Sequence, residues 1–451
     1  MYVSFCLTKL KEGKNMSKKI FITEYRDVTT AFNVSTSKMY SMRTGEVERE
    51  ELEKYIEEQE DNPINCERKA FDRIMGISIG CANACNLACS YCYANAGTYN
   101  SDNREIMKPN DYDKLFQYLQ SFDYAIGNIA FFGGEPLLSY EGIKYFIPKL
   151  EKDYLNRFKC KPQFSVVTNG TLLNEEIIKF INEKFNAVTI SIDGPESICD
   201  LTRVALDPTV SVYKMIEKAM VYVNSLEERN FHLRAVATLT PEILEKIKKY
   251  GIIEYRNSFF EMGFDSVAFF QATGIKWEKR YLDDLVEFYR TIINETFDKI
   301  INGNMEHLDD MTMSYLVDVL KRHYNGDCVA GKNYLFYAPD GKTYPCQMYY
   351  NERKSTVDAL KRYKLSKCSN CPVINVCQSY CAGTALSNNK SENEPIEYLC
   401  DVERARFEFV IQRYGYEVYY KKDNKEKYQN LIATIKKYAR QNATSNRFGE
   451  M

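Results

Sequence analysis

The sequence lacks the features that define several large protein classes. No apolar run in its 451 residues approaches the roughly 18 residues that a membrane-spanning helix requires. Its 60 Lys and Arg residues are balanced by 62 Asp and Glu residues, so no basic excess indicates binding to nucleic acid or to anionic lipid. The amino terminus lacks the pattern of a secretory signal, and the 3 histidines fit no metal-binding spacing. These absences predict a cytoplasmic protein without nucleic-acid or membrane partners.

Cysteine, by contrast, is plentiful. Of the 15 cysteines, most fall into two groups, within residues 81–92 and 328–400. Persistent disulfides are rare in a reducing compartment, where clustered cysteines more often serve metal or redox chemistry. The scattered remainder are interpreted as ordinary thiols: Cys6, Cys66, Cys160 and Cys199. The two groups therefore carry the functional information.

Alternating strand and helix patterns predict the fold of the central region. Six strand candidates, each followed by a helical stretch, are Met75–Ile79, Asn128–Phe132, Phe164–Thr168, Val188–Ile192, Leu233–Leu239 and Ser266–Phe270. Apolar strands in such βα units indicate a parallel sheet wrapped by helices. Six units are fewer than the eight of a closed barrel, so the sequence predicts an α/β fold with a partial (βα)6 barrel.

The remaining patterns divide the chain further, because 451 residues exceed what one compact core accommodates. Short strands and an acidic helix over Glu48–Gln59 predict a small β-plus-α module within residues 1–73. The expected order is then the barrel over 74–305, a helical bridge over 306–327, a cysteine-rich domain over 328–402, and terminal helices and a tail over 403–451.

The first cysteine group lies in the loop after the first barrel strand, where βα barrels carry their reactive groups. Cys85, Cys89 and Cys92 form a C-x3-C-x2-C pattern. Three thiolates can hold a [4Fe–4S] cluster and leave one iron open to a further ligand. A structural zinc site prefers four ligands, and Cys81 offers a fourth thiol, so zinc stays an alternative at this point.

Polar motifs follow the next strands in order. They are Phe132-Gly-Gly-Glu-Pro136, Thr168-Asn-Gly-Thr171, Ser191-Ile-Asp-Gly-Pro195 and, on the fifth strand, Arg234. Each has an ordinary explanation on its own, since Gly-Gly, Asn-Gly and Asp-Gly are common turn formers. Their succession at strand ends, after the cysteine loop, predicts one ligand site at the carboxyl edge of the sheet.

With these motifs, residues 74–275 resemble the radical S-adenosylmethionine enzymes. The family loop matches Cys85, Cys89, Tyr91 and Cys92 and makes Cys81 a bystander. The resemblance implies that the open iron binds S-adenosylmethionine and that its reductive cleavage yields a 5′-deoxyadenosyl radical. It also implies cofactor contacts: Gly133, Gly134 and Glu135 to the methionine ammonium, Tyr91 to adenine, Ser191 and Asp193 to ribose, and Arg234 to the carboxylate.

The second cysteine group has seven thiols, too many for one tetrahedral zinc and one short of two four-cysteine sites. Spacing alone leaves a two-zinc arrangement open. The whole string, including Gly341, resembles the SPASM extension of radical S-adenosylmethionine enzymes. That resemblance implies two auxiliary [4Fe–4S] clusters, hence three in all: one held by Cys328, Cys346 and Cys381, the other by Cys368, Cys371, Cys377 and Cys400. Val329–Phe336 lacks an eighth cysteine, which leaves one iron of the first auxiliary cluster open.

SPASM relatives include maturases of ribosomally made peptides and anaerobic sulfatase-maturating enzymes. The latter carry an Asp base directly after the cysteine that matches Cys346, whereas this chain has Gln347, which cannot accept a proton at neutral pH. Residues 18–60 have the elements for binding a leader peptide by strand addition, although a capping or dimerisation element is an alternative. The expected partners are therefore a precursor peptide and an electron donor such as flavodoxin or ferredoxin.

The expected product is a thioether made from a substrate cysteine. Three alternatives stay open: carbon–carbon or carbon–oxygen crosslinks, sulfatase-maturase-like oxidation of a protein side chain, and a non-enzymatic iron–sulfur electron-transfer or zinc-binding module.

Overall fold

The computed structural model describes residues 20–59, 73–321, 328–377 and 380–445. Parts of the predicted N-terminal module, helical bridge and terminal tail lie outside these residues. The chain divides into two compact units. The first unit lies within Met1–Lys69, Trp277–Cys328 and Ala359–Thr444, and the second is built from Ala70–Lys276 and Val329–Asp358.

The strands are β1 (Ile20–Tyr25), β2 (Val28–Asn33), β3 (Lys38–Arg43), β4 (Gly76–Gly80), β5 (Asn128–Phe132), β6 (Gln163–Thr168), β7 (Ala187–Ser191), β8 (His232–Leu239), β9 (Ser266–Gln271), β10 (Tyr334–Tyr337) and β11 (Thr343–Tyr344). The helices are α1 (Arg49–Glu57), α2 (Pro109–Gln120), α3 (Tyr140–Phe158), α4 (Glu175–Lys184), α5 (Glu196–Thr202), α6 (Val212–Asn224), α7 (Pro241–Tyr250), α8 (Ile252–Glu261), α9 (Lys279–Ile301), α10 (Asp310–Lys321), α11 (Gln347–Asn351), α12 (Ser366–Ser369), α13 (Ala382–Asn389), α14 (Glu397–Tyr419) and α15 (Lys425–Ser445). Short 3-10 turns cover Pro136–Ser139 and Arg362–Lys364.

The second unit is organised around the predicted parallel sheet. Strands β4 to β9 pair in chain order and in parallel, with helices in the connections. Buried apolar side chains such as Ile77, Phe131 and Ile190 occupy alternate positions along these strands. This sheet confirms the α/β prediction, and the carboxyl ends of its strands meet at one edge.

The sheet is larger than the six strands that the βα pattern predicted. Strand β10 pairs in parallel with β4, and β11 pairs with β10 in antiparallel, so the sheet has eight strands in the order β11-β10-β4-β5-β6-β7-β8-β9. Both added strands come from within the predicted cysteine-rich segment 328–402. They are too short to carry a clear alternation of their own, which is why the pattern did not reveal them.

The helical pattern that follows the fifth barrel strand, over Pro241–Gly263, predicts one stretch of helix, and the structure divides this stretch. The structure has two helices there, α7 and α8, separated by Gly251. Gly251 has φ of 101°, a left-handed conformation that no helix interior permits. The apolar periodicity continues across this break, so hydrophobic pattern alone did not locate it.

The first unit contains a separate antiparallel sheet in the order β1-β2-β3. Helix α1 buries Leu52 and Ile56 against it, and α14 also packs on it, with the rings of Phe32 and Phe407 5.1 Å apart. A Cβ on Gly415 of α14 would lie 2.0 Å from the Thr30 hydroxyl, so the helix approaches β2 closely. The N-terminal strands therefore share a core with a C-terminal helix.

Among the helices that the structure describes, none combines the length and the apolar character that a membrane crossing requires.

Candidate active site

The first cysteine group lies in the loop that leaves the carboxyl end of β4. On one side the loop is bonded to the Gly-Gly-Glu turn after β5: Gly134 N donates to Ala82 O (2.9 Å) and Glu135 N to Ala84 O (2.9 Å). A Cβ added at Gly134 would lie 2.2 Å from Ala84 O, and Gly133 has φ of +138°. Because any side chain would push the loop away, the paired glycines are needed to seat the cysteine loop.

On its other side the loop is hydrogen-bonded to the last residue of α5 and to the residues that follow it. Ser90 N donates to Thr202 O (3.0 Å) and Ala88 N to Val204 O (2.8 Å). Leu87 forms an isolated antiparallel bridge with Ala205. The segment 202–206 thus forms a strip along the loop, and the connections that follow β5 and β7 clamp the cysteines between them.

The thiols of the C-x3-C-x2-C pattern are half-buried at this edge. Cys85 Sγ accepts weak hydrogen bonds from Leu87 N (3.4 Å) and from Asn169 Nδ2 (3.6 Å). Burial raises the pKa of the Cys85 thiol to about 12, so a metal that ionises it must supply the compensating charge. N–H groups directed at sulfur tune iron–sulfur clusters, and this donor set fits one.

Cys81 differs from the other thiols of the loop. It is fully buried, and its Sγ donates to Ile79 O (3.4 Å). Within the described parts of the chain, no three His, Cys, Asp or Glu side chains lie close enough together to hold a single metal ion.

Glu135 ties β5 to β6. Its buried carboxylate accepts from Leu137 N (3.0 Å), Thr168 Oγ1 (2.7 Å) and Asn169 N (2.7 Å). Burial raises the pKa of Glu135 to about 7, against the opposing effect of these hydrogen bonds. The expected contact with an ammonium group would use the acceptor position that Oε2 retains.

Asp193 is the centre of a second buried network. Its Oδ2 accepts from Tyr91 Oη (2.5 Å) and Thr202 Oγ1 (3.1 Å), and its Oδ1 accepts from Arg203 Nη2 (3.0 Å) and Thr238 N (2.8 Å). These four bonds use the acceptor sites of a carboxylate. The predicted ribose contact of Asp193 would therefore have to displace a protein group, and the predicted adenine partner Tyr91 is anchored here through its hydroxyl.

Arg203 belongs to this network and was missed by sequence reasoning. Its side chain is 6% exposed and pairs with Asp193, and its guanidinium carbon lies 5.5 Å from the ring centroid of Tyr91. Burial disfavours its charge, but the Asp193 carboxylate raises the pKa of Arg203 above its usual range. An arginine after a short helix is ordinarily exposed, so the sequence carried no signal for it.

The two remaining predicted cofactor residues lie on neighbouring strands at different depths. Ser191 ends β7 and pairs in register with Val236, whereas Arg234 pairs with Thr189. Arg234 therefore lies two residues deeper in the sheet than Ser191, about 7 Å at the usual rise per residue. Arg234 alternates with the buried Leu233 and Ala235, as the sequence pattern predicted.

The first unit brings most of the second cysteine group together. A cavity of about 210 Å³ is lined by five cysteines and by basic side chains, among them Cys368, Cys371, Cys377, Cys381, Cys400, Arg362 and Arg404. Burial raises the pKa of Cys400 to about 12, and the charge of Arg404 opposes this rise. The four thiols predicted for the second auxiliary cluster share this cavity, and Cys381 joins them.

The thiols predicted for the first auxiliary cluster are distributed over both units. Cys328 and Cys381 lie in the first unit and Cys346 in the second. Cys381 caps α13, where its Sγ accepts from Thr384 N (3.4 Å). Cys346 occupies the N-cap position of α11, directly before Gln347. Their shared cluster stays a prediction.

Comparison with known proteins agrees with this geometry. Residues 79–219 match the model of the Radical SAM superfamily. The chain carries a radical SAM domain. Such a domain implies S-adenosylmethionine and one [4Fe–4S] cluster, whereas the count of three clusters stays a prediction.

Relatives and solved structures extend the likeness beyond this domain. A cysteine-type anaerobic sulfatase-maturating enzyme of Clostridium perfringens is 24% identical over an alignment of 368 positions that covers 74% of this chain and 95% of the relative. The radical SAM cyclopropyl synthase TigE of Paramaledivibacter caminithermalis is 28% identical over an alignment of 180 positions that covers 37% of each protein. Native anSMEcpe with bound AdoMet and Kp18Cys peptide has a TM-score of 0.58 at 22% identity, covering 75% of this chain and 98% of that chain. This structural likeness supports the fold.

Proposed function

We propose that this chain is a peptide maturase that uses a 5′-deoxyadenosyl radical to modify a ribosomally made peptide. The observation that carries the proposal is the clamped loop of Cys85, Cys89 and Cys92 at the carboxyl edge of a radical SAM sheet. The bound cluster and S-adenosylmethionine supply the radical chemistry, and the chain's residues hold, orient and bury them. Cys85, Cys89 and Cys92 would hold the cluster beside the networks of Glu135 and Asp193.

Two auxiliary clusters complete the proposed enzyme. Cys368, Cys371, Cys377 and Cys400 would hold one of them, a role supported by the cavity that they line together. Arg404, one helical turn after Cys400, would offset part of the negative charge of these thiolates. Cys328, Cys346 and Cys381 would hold the other, with one iron left open, and an external donor such as flavodoxin or ferredoxin would deliver electrons.

A peptide substrate is supported by the relatives and by the N-terminal sheet. One solved relative holds a peptide together with AdoMet. In this chain β3 is an edge strand, and all of its residues are at least partly exposed. An extended leader peptide would add to β3 through main-chain hydrogen bonds, a mode of binding that tolerates varied sequences.

The finer proposal concerns the bond that forms, a thioether from a substrate cysteine. With three protein thiols for four irons, the first auxiliary cluster would accept a substrate thiolate, which metal binding deprotonates. The sulfur would then lie near a carbon radical in the same peptide. In the competing account, the open iron is occupied by water or by Tyr334, whose hydroxyl is already hydrogen-bonded to Ser78. The peptide would then receive a carbon–carbon or carbon–oxygen crosslink.

We expect the modified peptide to be lighter by two hydrogens and to contain one cysteine that iodoacetamide no longer alkylates. The reason is that the 5′-deoxyadenosyl radical would take one hydrogen atom from carbon and the thiol would give up its proton, while the one electron left over when the carbon–sulfur bond forms would pass to the auxiliary cluster. Mass spectrometry before and after alkylation measures both changes. A modified peptide whose cysteines all still alkylate would contradict the thioether and leave the radical SAM domain assignment intact.

A second candidate, sulfatase maturation, is favoured by the relative that aligns over most of its length. Against it stands Gln347, at the position where those enzymes carry an acid–base residue. The Oε1 of Gln347 is buried and has no hydrogen-bond partner among the described residues, and an amide cannot take up a proton. In the same mass-spectrometric assay, a peptide from a cysteine-type sulfatase stays unmodified if peptide maturation is correct and changes mass if sulfatase maturation is.

A further inference from the structure

Three features of Arg203 are not explained by its ion pair with Asp193 alone. Its side chain is 6% exposed, although burying a guanidinium is costly. It lies in the strip 202–206, whose backbone carbonyls hold the cysteine loop through Ser90 and Ala88. Its Nε–H is buried without a hydrogen-bond partner among the described residues.

A buried donor without a partner is destabilising, so it indicates that the surroundings contain an acceptor when the site is occupied. Two neighbours of Arg203 are already explained: Asp193 by the ion pair and Tyr91 by ring stacking. Ser90, the residue directly after Cys89, donates its N–H to the carbonyl of Thr202, the residue directly before Arg203 (3.0 Å). With the guanidinium also over the ring of Tyr91, these contacts place Arg203 beside the part of the loop that carries Cys89, where a Cys89 thiolate would be an acceptor.

We propose that Arg203 is a positioning residue that places a positive charge and a free N–H beside the Cys89 thiolate, so that the cluster in the loop is easier to reduce. This inference rests on the cluster proposed at Cys85, Cys89 and Cys92. A positive charge stabilises the extra electron of the reduced cluster, and the dry surroundings strengthen that effect. Asp193 opposes it and holds the guanidinium in place.

Arg203 and Asp193 carry opposite charges, so replacing each in turn should shift the reduction potential of the loop cluster in opposite directions. Arg203→Gln removes the positive charge and leaves Asp193 in place, so the loop cluster should become harder to reduce. Asp193→Asn removes the negative charge, so the cluster should become easier to reduce. We expect each change to alter the reduction equilibrium at least about tenfold, which is ~59 mV for one electron. The double variant and Arg203→Lys should stay close to the wild-type potential.

The measurement is a redox titration of the anaerobically reconstituted full-length protein by electron paramagnetic resonance. It follows the signal that changes on addition of S-adenosylmethionine, since this cofactor is expected to bind the open iron of the loop cluster. Potentials that shift in opposite directions support the proposal. Shifts in the same direction, or no shift at normal iron content, overturn it, because a purely structural role perturbs the loop equally in both variants.

Further outcomes distinguish a failure of the role proposed for Arg203 from a failure of the cluster proposed at Cys85, Cys89 and Cys92. Loss of iron in Arg203→Gln, with iron and potential retained in Arg203→Lys, supports the role of the charge. Loss of iron in both variants shows that the shape of the guanidinium matters rather than its charge, and overturns the proposal. If the wild-type protein shows no signal that responds to S-adenosylmethionine, the cluster assignment itself fails.

Discussion

Replacement of Cys85, Cys89 and Cys92 by Ala is expected to abolish cleavage of S-adenosylmethionine and to remove about a third of the bound iron. A protein with three [4Fe–4S] clusters binds about twelve irons, and this variant loses the four of one cluster. The cavity cysteines lie elsewhere in the chain, so the other clusters should remain. Iron analysis after anaerobic reconstitution and chromatographic detection of 5′-deoxyadenosine measure the two effects.

Cys81→Ala and Cys160→Ala are the matched controls. Cys81 lies in the same loop but is buried and donates to Ile79 O, and Cys160 is exposed far from it in the sequence. Both variants should retain iron and cleavage. Cleavage that persists in the triple variant, or that is lost equally in Cys81→Ala, would contradict the assignment of the loop.

Ser41→Pro is expected to lower modification of a full-length precursor peptide at least about tenfold, while cleavage of S-adenosylmethionine without peptide continues. Thr44 N donates to Asp27 O, and the register of β2 and β3 then directs the amide of Ser41 away from β2. Proline removes this outward N–H without removing a bond to β2. A leader peptide that adds to β3 would lose a main-chain hydrogen bond and would clash with the proline ring.

Ser41→Ala keeps the N–H and removes only the hydroxyl, so it should modify the peptide like the wild type. Deleting the strands is a poorer test, because Phe32 packs on Phe407 of α14 and deletion would expose the core of the first unit. If both variants modify the full-length precursor peptide equally, β3 is not the strand to which the leader peptide adds. The affinities of both variants for the leader peptide alone are measured directly by titrating a labelled leader peptide with each protein and monitoring its fluorescence anisotropy.

Much of the fold was predictable because the barrel strands are short apolar runs in which buried residues mostly occupy every second position. Asn128–Phe132 was predicted with the bounds that the structure shows, and the other barrel strands agree within one or two residues. The sequence pattern failed where contacts between distant parts of the chain determine the secondary structure. Strands β10 and β11 are too short to show a period, and Gly251 interrupts a helix whose apolar pattern continues.

In the candidate site, too, some residues were predictable from the sequence and others were not. The cysteines and the glycine pair were found because spacing along one loop is visible in the sequence. Arg203 was not, because its contacts with the cysteine loop join residues about a hundred positions apart. Asn169 was recognised as part of a motif, but its hydrogen bond to Cys85 was not. Asp193 was recognised as part of a motif, but its four protein partners become visible only when the ends of β7 and β8 lie side by side. Sequence reasoning located the site, and the structure showed how it is held.

The most direct test of the central claim is 5′-deoxyadenosine formation by the full-length protein, reconstituted separately with iron and sulfide or with zinc. The protein is reduced with dithionite and incubated with S-adenosylmethionine, and the product is quantified by liquid chromatography. We expect 5′-deoxyadenosine from the iron-loaded protein only, because zinc undergoes no redox change. Formation of the product by zinc-loaded, iron-free protein, or none from protein that holds its full iron complement, would contradict it.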